Sequence, residues 1–171
     1  APIGYGNEKA LNQLLAHHGI IFKPEQRLVW VSSNPYQLGE MVCYDLNEVF
    51  KKRESTSNLT SLQIENKNIP KDNFQETQAY KNYELFRIED RKMDAFLENK
   101  TELASDFAEN YQSLNPNYWL VYYKVGLSYY QNKQYQLAKE QFEKALTKEI
   151  TTVPAKLEID KYLKKIKRKL K

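Results

Sequence analysis

Between residues 118 and 146 the chain carries a spacing that suits two helices packed closely side by side. Tyr122, Val125, Gly126 and Tyr129 recur at three- and four-residue intervals, and Ala138, Phe142 and Ala145 do the same after a polar turn at residues 131–134. Such intervals place side chains on one helical face. Gly126 and Ala138 are small, one on each segment, which lets two antiparallel backbones approach. Tyr122, Gly126, Tyr129, Ala138, Phe142 and Ala145 are therefore the expected seam.

This pattern resembles a tetratricopeptide repeat. It departs from one at Ile150, where such repeats usually carry proline; Pro154 follows, so the exit turn is expected to be longer. Residues 83–116 resemble a degenerate copy. Leu114-Asn115-Pro116-Asn117 looks like the end of a repeat and Ala104 supplies a small residue, but Lys92 stands where the glycine belongs. The periodicity predicts helices over 76–98 and 101–114, the second capped by Thr101. Downstream, Leu157, Ile159, Tyr162, Leu163, Ile166 and Leu170 form one apolar stripe, as expected of the last helix of an array with a wet outer face.

That last segment holds most of the positive charge. Net charge is +4, yet residues 155–171 contain eight Lys/Arg against two acids. A basic amphipathic helix admits two readings, an anionic-surface patch or a cap whose lysines snorkel over an apolar seam. The stripe is regular and, Tyr162 of the stripe itself apart, no aromatic side chains interleave the charges for stacking, which favours the cap and argues against nucleic acid. A hydrophobic share of 41% with 28% charged residues fits a folded soluble chain. No apolar run reaches the roughly 18 residues of a membrane span. The first residues lack the basic and apolar regions of a signal peptide. One cysteine, Cys43, excludes an internal disulfide and a Cys-rich zinc site.

The first fifty residues read differently. Asn7 is placed to cap a short helix with Ala10, Leu11, Leu14 and Leu15, ending at Gly19. Ile20-Ile21-Phe22, Leu28-Val29-Trp30-Val31 and Met41-Val42-Cys43-Tyr44 are three strand candidates, the first two joined by a turn at residues 23–26. One helix and three short strands bury little of their own surface, so this part is expected to lean on something else. Residues 51–73 are rich in Ser, Thr, Asn and Lys and read as a linker, with Leu59, Leu62 and Ile64 making a brief contact. The expected organisation is thus a small α+β segment at 1–50, a linker at 51–73 and a mainly α, tetratricopeptide-like domain at 74–171.

The N-terminal part also carries a distinctive string: Gly4-Tyr5-Gly6-Asn7-Glu8, then Ala16-His17-His18, then Trp30-Val31-Ser32-Ser33-Asn34-Pro35-Tyr36-Gln37-Leu38-Gly39-Glu40 and Tyr44-Asp45-Leu46. It resembles the C-terminal end of the catalytic domain in bacterial relatives of acyl-coenzyme A:6-aminopenicillanic acid acyltransferase. The resemblance covers about the first fifty residues and implies an N-terminal-nucleophile hydrolase of αββα fold. In that family a cysteine freed by self-cleavage attacks an amide or thioester carbonyl, with its own α-amino group as base. Ala1 is not such a nucleophile and Cys43 lies inside a strand pattern, so no catalytic residue carries over. The implied partner is an upstream catalytic domain of the same protein, and the implied setting is a bacterial cell envelope or periplasm. No cofactor is implied.

Tyr36, Gln37, Leu38 and Gly39 admit two readings: a loop lining a substrate cleft, or a strand-edge turn that needs Gly39 at positive φ. Cys43 with His17 or His18 would make a thiol–imidazole pair, but a small buried hydrophobe explains Cys43 more simply. No Gly-Lys-Ser/Thr phosphate loop is present. Tyr118, Tyr122, Tyr123, Tyr129, Tyr130 and Tyr135 suit either seam packing or a peptide groove. Two functions compete: the C-terminal part of an amidohydrolase or acyltransferase with a helical extension, and a free-standing adaptor that binds a peptide or protein.

Overall fold

The three short apolar runs pair as strands. Ile20–Lys23 (β1), Leu28–Ser32 (β2) and Met41–Asp45 (β3) form an antiparallel sheet in the order β1-β2-β3. Ile21 faces Trp30 across the first pair, and Trp30 faces Cys43 across the second. The structure, a computed structural model, describes residues 1–10, 14, 16–51 and 61–170. It is mainly helical, with this small sheet as its β component. Contacts group it into two compact units, one of Ala1–Leu11 with Gln78–Lys171 and one of Asn12–Thr77. That grouping differs from the division by composition at both ends of the sheet.

In the sheet unit, Pro24 starts a 3-10 turn between β1 and β2, closed by the Arg27 N–H on the Pro24 carbonyl at 3.0 Å. Leu28, Val29 and Cys43 are buried. All four residues of β1 are exposed. At the opposite edge, the stretch expected to be a linker pairs with β3. Met41 and Ile69 exchange two backbone hydrogen bonds at 2.9 and 3.0 Å, and the Ile64 N–H reaches the Cys43 carbonyl at 2.8 Å. Backbone pairing and the amide of Asn68, which accepts the Cys43 N–H at 2.9 Å, hold this polar segment; apolar periodicity has no part in it. Leu62 and Ile64 are half-buried, and Leu59 lies outside the described residues.

The helix expected after Asn7 is not formed among the described residues, where 5–10 make turns; Leu11 and Leu15 lie outside them. Asn7 does accept the Lys9 N–H at 3.0 Å, but its amide nitrogen donates to the Glu149 carbonyl at 2.7 Å, a distant partner that fixes a turn instead. The helix that accompanies the strands is the single turn Leu46–Val49 (α1), capped by Asp45, which accepts the Asn47 N–H at 2.8 Å.

The helical unit contains Gln78–Asn99 (α2), Ser105–Leu114 (α3), Trp119–Gln131 (α4), Tyr135–Leu146 (α5) and Val153–Lys169 (α6). Packing runs α2 on α3 and α4, α4 on α5, and α5 on α6. Tyr83, Met93, Tyr111, Val121, Val125, Phe142, Ile159 and Ile166 are fully buried. Phe86 stacks on Tyr111 at 5.6 Å, and Phe142 on Tyr162 at 5.2 Å. Tyr122, Gly126, Ala138, Phe142 and Ala145 are buried and Tyr129 is half-buried. A Cβ on Gly126 would lie 2.9 Å from Phe142 Cε1, so the close approach read from the sequence is real.

Two expectations for this unit need correction. Thr101 is not a cap: α3 begins at Ser105, after Ala104, because Leu103 is buried and holds the chain extended before the helix starts. In α6, Ile159 and Ile166 are buried and Tyr162 and Leu163 half-buried, but Leu157 is 61% and Leu170 48% exposed. Val153, Leu157 and Lys161 recur on the outward face, so the stripe is narrower than its six apolar members suggest. Pro154 sits in the first turn of α6, which Thr152 caps by accepting the Ala155 N–H at 3.3 Å. The longer exit turn therefore ends in a proper helix start.

Candidate functional site

The loop between β2 and β3 builds a polar concavity in the sheet unit. The Ser33 N–H donates to the Glu40 carbonyl at 2.8 Å and closes the loop, while the Leu38 N–H reaches the Pro35 carbonyl at 3.0 Å and tightens its tip. The Asn34–Pro35 peptide is cis and Tyr36 has φ 52°. The positive φ foreseen at Gly39 thus falls on Tyr36. Gly39 is needed for another reason: a Cβ there would stand 2.3 Å from the Ser33 carbonyl oxygen and 2.6 Å from that of Asn34.

Beside this loop lies a cleft of about 430 Å³, lined by Ser33, Asn34, Gly39, Glu40, Pro70, Lys71 and Gln75. Of the four residues singled out by sequence, Gly39 lines it. Leu38 is buried behind it and serves by its carbonyl, which accepts the Asp72 N–H at 2.8 Å and the Gln75 amide at 2.9 Å. Gln37 turns away and donates to the His18 carbonyl at 3.3 Å. Lys71 and Gln75 carry no periodic or motif signal, and Gln75 lies in a 3-10 turn (Asn73–Glu76), so sequence reasoning passed over them.

Charge in the cleft is mixed. Lys71 Nζ lies 3.3 Å from Glu76, and Glu40 Oε1 accepts the Asn68 amide at 3.0 Å. Asn68 in turn holds the Cys43 N–H, so the rim of the cleft is tied to the centre of β3. An ammonium, two amides and a hydroxyl can orient a polar ligand here. Among the described residues no imidazole lines the cleft. Cys43 is fully buried, and burial pushes its thiol up, with Asp45 adding to the effect against Lys67. His17 and His18 are exposed at the surface. The thiol–imidazole pair is not assembled, and among the described residues no group of three or more His, Cys, Asp or Glu could hold a metal ion.

The helical unit has its own groove, of about 660 Å³, between α5 and α6. Leu163 and Leu170 contribute apolar surface, with Lys139, Lys164 and Lys167 against Glu143 and Asp160. Lys139 pairs with Glu143 at 3.8 Å. The tyrosines expected at a seam or groove are mainly packing residues. Tyr122 is buried and donates to the Pro116 carbonyl at 2.8 Å, and Tyr130 meets Tyr135 and Tyr162 at 5.6 and 5.0 Å. Among the described residues, no helix is long and apolar enough to cross a membrane. Compared with protein-family models, with curated proteins and with solved structures, the chain gives no match.

Proposed function

We propose that this chain is the C-terminal part of a cysteine N-terminal-nucleophile amidohydrolase or acyltransferase, with a tetratricopeptide-like helical extension that serves for packing or protein interaction. The observation that carries this reading is the state of the sheet. The string from Trp30 to Leu46 forms β2, the loop over the cleft and β3, while the outer strand β1 is left with Ile20, Ile21 and Phe22 exposed by 55, 45 and 64%. An exposed apolar edge strand is a pairing liability that folded proteins normally cover. Further strands of an upstream αββα domain would cover it, and the nucleophile would belong to that domain. The cleft beside Gly39 then contributes polar groups to substrate binding, with Lys71 and Gln75 as orienting residues.

The natural coding sequence upstream of residue 1 tests this. Expressed with that sequence, the protein is expected to cut itself, leave an N-terminal cysteine detectable by intact mass, and hydrolyse amide or thioester substrates. An upstream region without a cysteine-bearing domain of that fold ends the reading.

A second reading, a free-standing tetratricopeptide-like adaptor, is favoured by the close-packed α4–α5 seam and by the half-buried tyrosines around it. It predicts that residues 1–171 are monodisperse in solution on their own. Aggregation through β1 would count against it.

A further inference from the structure

Packing in the helical unit repeats along the chain. α5 lies against α4 and also touches α3, where the Gln112 amide donates to Gln141 Oε1 at 2.7 Å. It sits in the seam that two preceding helices leave. Gly126 marks the face of α4 that receives it, since a Cβ there would meet the Phe142 ring at 2.9 Å. α6 begins at Val153, 34 residues after α4 begins at Trp119. The same offset carries buried Val125 onto buried Ile159, and Gly126 and Tyr129 onto Asp160 and Leu163. Asp160 and Leu163 line the groove of about 660 Å³ between α5 and α6. That groove thus lies where a further helix would pack in the way α5 packs on α3 and α4. Among the described residues no helix fills it.

Its lining selects the chemistry of what fits. Leu163 and Leu170 supply the apolar floor. They stand seven residues apart on α6, about 10 Å along the axis and on one face. Lys139, Lys164 and Lys167 stand around them. Among the described residues, none of the seven lysines and arginines of α6 lies within ion-pair distance of a carboxylate. Unpaired charge of one sign beside an apolar trough is complementary to carboxylates brought by a partner. Glu143 and Asp160 in the same lining would repel a phosphate-rich surface, whereas a protein partner can offer them a basic side chain. A recessed trough between two helices also suits a third helix, about 10 Å across, better than the flat face of a bilayer.

We infer that the α5–α6 groove is a docking site for an acidic amphipathic helix of a partner protein. Apolar residues at i and i+7 of that helix seat on Leu163 and Leu170, and carboxylates beside them pair with Lys139, Lys164 and Lys167. The inference deepens the protein-interaction role proposed for the helical extension and rests on that part of the reading. The enzymatic part is decided by the sequence upstream of residue 1, whatever the groove binds.

The test adds a fluorescent peptide of about 18 residues, long enough to populate helix, to the full chain and follows its anisotropy. Leucines at i, i+3 and i+7 form its apolar face and glutamates flank them. A second peptide carries glutamine in place of every glutamate. The glutamate peptide is expected to bind saturably. Binding is expected to be roughly tenfold weaker for the glutamine peptide, and for the glutamate peptide on a chain carrying Lys164→Glu with Lys167→Glu. Both lysines are exposed, so circular dichroism of the double variant should match the parent chain. If the variant loses helix, the comparison of the two peptides on the unaltered chain decides. Absence of saturable binding overturns the proposal, as does equal binding of the two peptides. Vesicles of phosphatidylcholine with phosphatidylserine are the third probe. Sedimentation of the chain with them, undiminished by excess glutamate peptide, would assign the basic face to a membrane and overturn the proposal as well.

Discussion

Tyr111 donates its hydroxyl to Asp90 Oδ1 at 2.5 Å, and the same oxygen receives Lys124 Nζ at 2.7 Å. Lys124 also lies 2.6 Å from Asp94. One ammonium thus joins α4 to two carboxylates on α2, and a fully buried phenol on α3 completes the set. The Lys124 side chain is 12% exposed, that of Asp90 24% and that of Asp94 50%. Breaking such a pair leaves a partly buried charge without its partner, which costs more than an exposed pair is worth. Lys124→Met is expected to lower stability by about 2 kcal/mol, while Asp94→Asn stays within about 0.5 kcal/mol. Urea unfolding followed by circular dichroism measures both. Equal losses would mean that Asp90 is not the principal partner.

The same packing makes the helical unit sensitive to alkali. Burial, with Glu8 and Asp90 assisting, pushes Tyr118 from the ordinary 10.0 up to about 12. Tyr111 is raised by burial and then by Asp90, and Tyr123 by burial and then by its hydrogen bond to Glu158. A raised phenol binds its proton more tightly in the folded chain than in the unfolded one. Its contribution is therefore intact below pH 10 and declines as pH rises towards the folded value. Stability is expected to fall between pH 10 and 12, with a block of tyrosines ionising together as the helices unfold. Phenolate absorbance and circular dichroism should change in one transition. Smooth ionisation of all tyrosines in a chain that keeps its helices would contradict this.

Legibility in the sequence tracked the kind of force involved. The α4–α5 seam was readable because Gly126 and Phe142 meet through apolar contact, which leaves a period of three and four. The strands were readable as short runs of β-branched and aromatic residues. What escaped was held by backbone and amide hydrogen bonds between distant residues. Asn7 and Asn115 read locally as a helix cap and a helix stop, yet each spends its amide on a segment more than a hundred residues away. Asn68 likewise anchors a polar stretch to β3. Such bonds have no period and no fixed spacing. The cleft suffered in the same way: Gly39 was visible as a glycine in a strand-edge loop, while Lys71, and Gln75 in a 3-10 turn, reach it from a stretch with no pattern.

Cys43 is expected to be chemically silent in the folded protein. It is fully buried at the middle of β3, its thiol is pushed up by burial, and the thiolate is the reactive form. A maleimide should label the native chain slowly and the urea-unfolded chain quickly, and labelling should follow the unfolding transition of the sheet unit. Cys43→Ser puts a hydroxyl in an apolar slot and is expected to cost about 1 kcal/mol of stability. Rapid native labelling would place the thiol at the surface and revive the thiol–imidazole reading.

Two residues on α4 should respond in opposite directions. Gly126→Leu drives a branched side chain into the ring of Phe142, whose Cε1 and Cδ1 lie 2.9 and 3.0 Å from where even a Cβ would sit. Overpacking of this kind costs about 1–3 kcal/mol, and the gain in helix propensity over glycine, about 1 kcal/mol, offsets part of it. Ser128, two residues on, is 1% exposed and its hydroxyl has no hydrogen-bond partner among the described residues. Removing an unsatisfied buried hydroxyl relieves its desolvation, and alanine is the better helix former. Ser128→Ala is expected to raise the thermal midpoint while Gly126→Leu lowers it. The contrast separates the two causes, because both changes fall on one helix and neither touches a charge. If both variants melted with the parent chain, the seam between α4 and α5 would not be close-packed at Gly126, and the repeat-like reading of this hairpin would lose its physical basis.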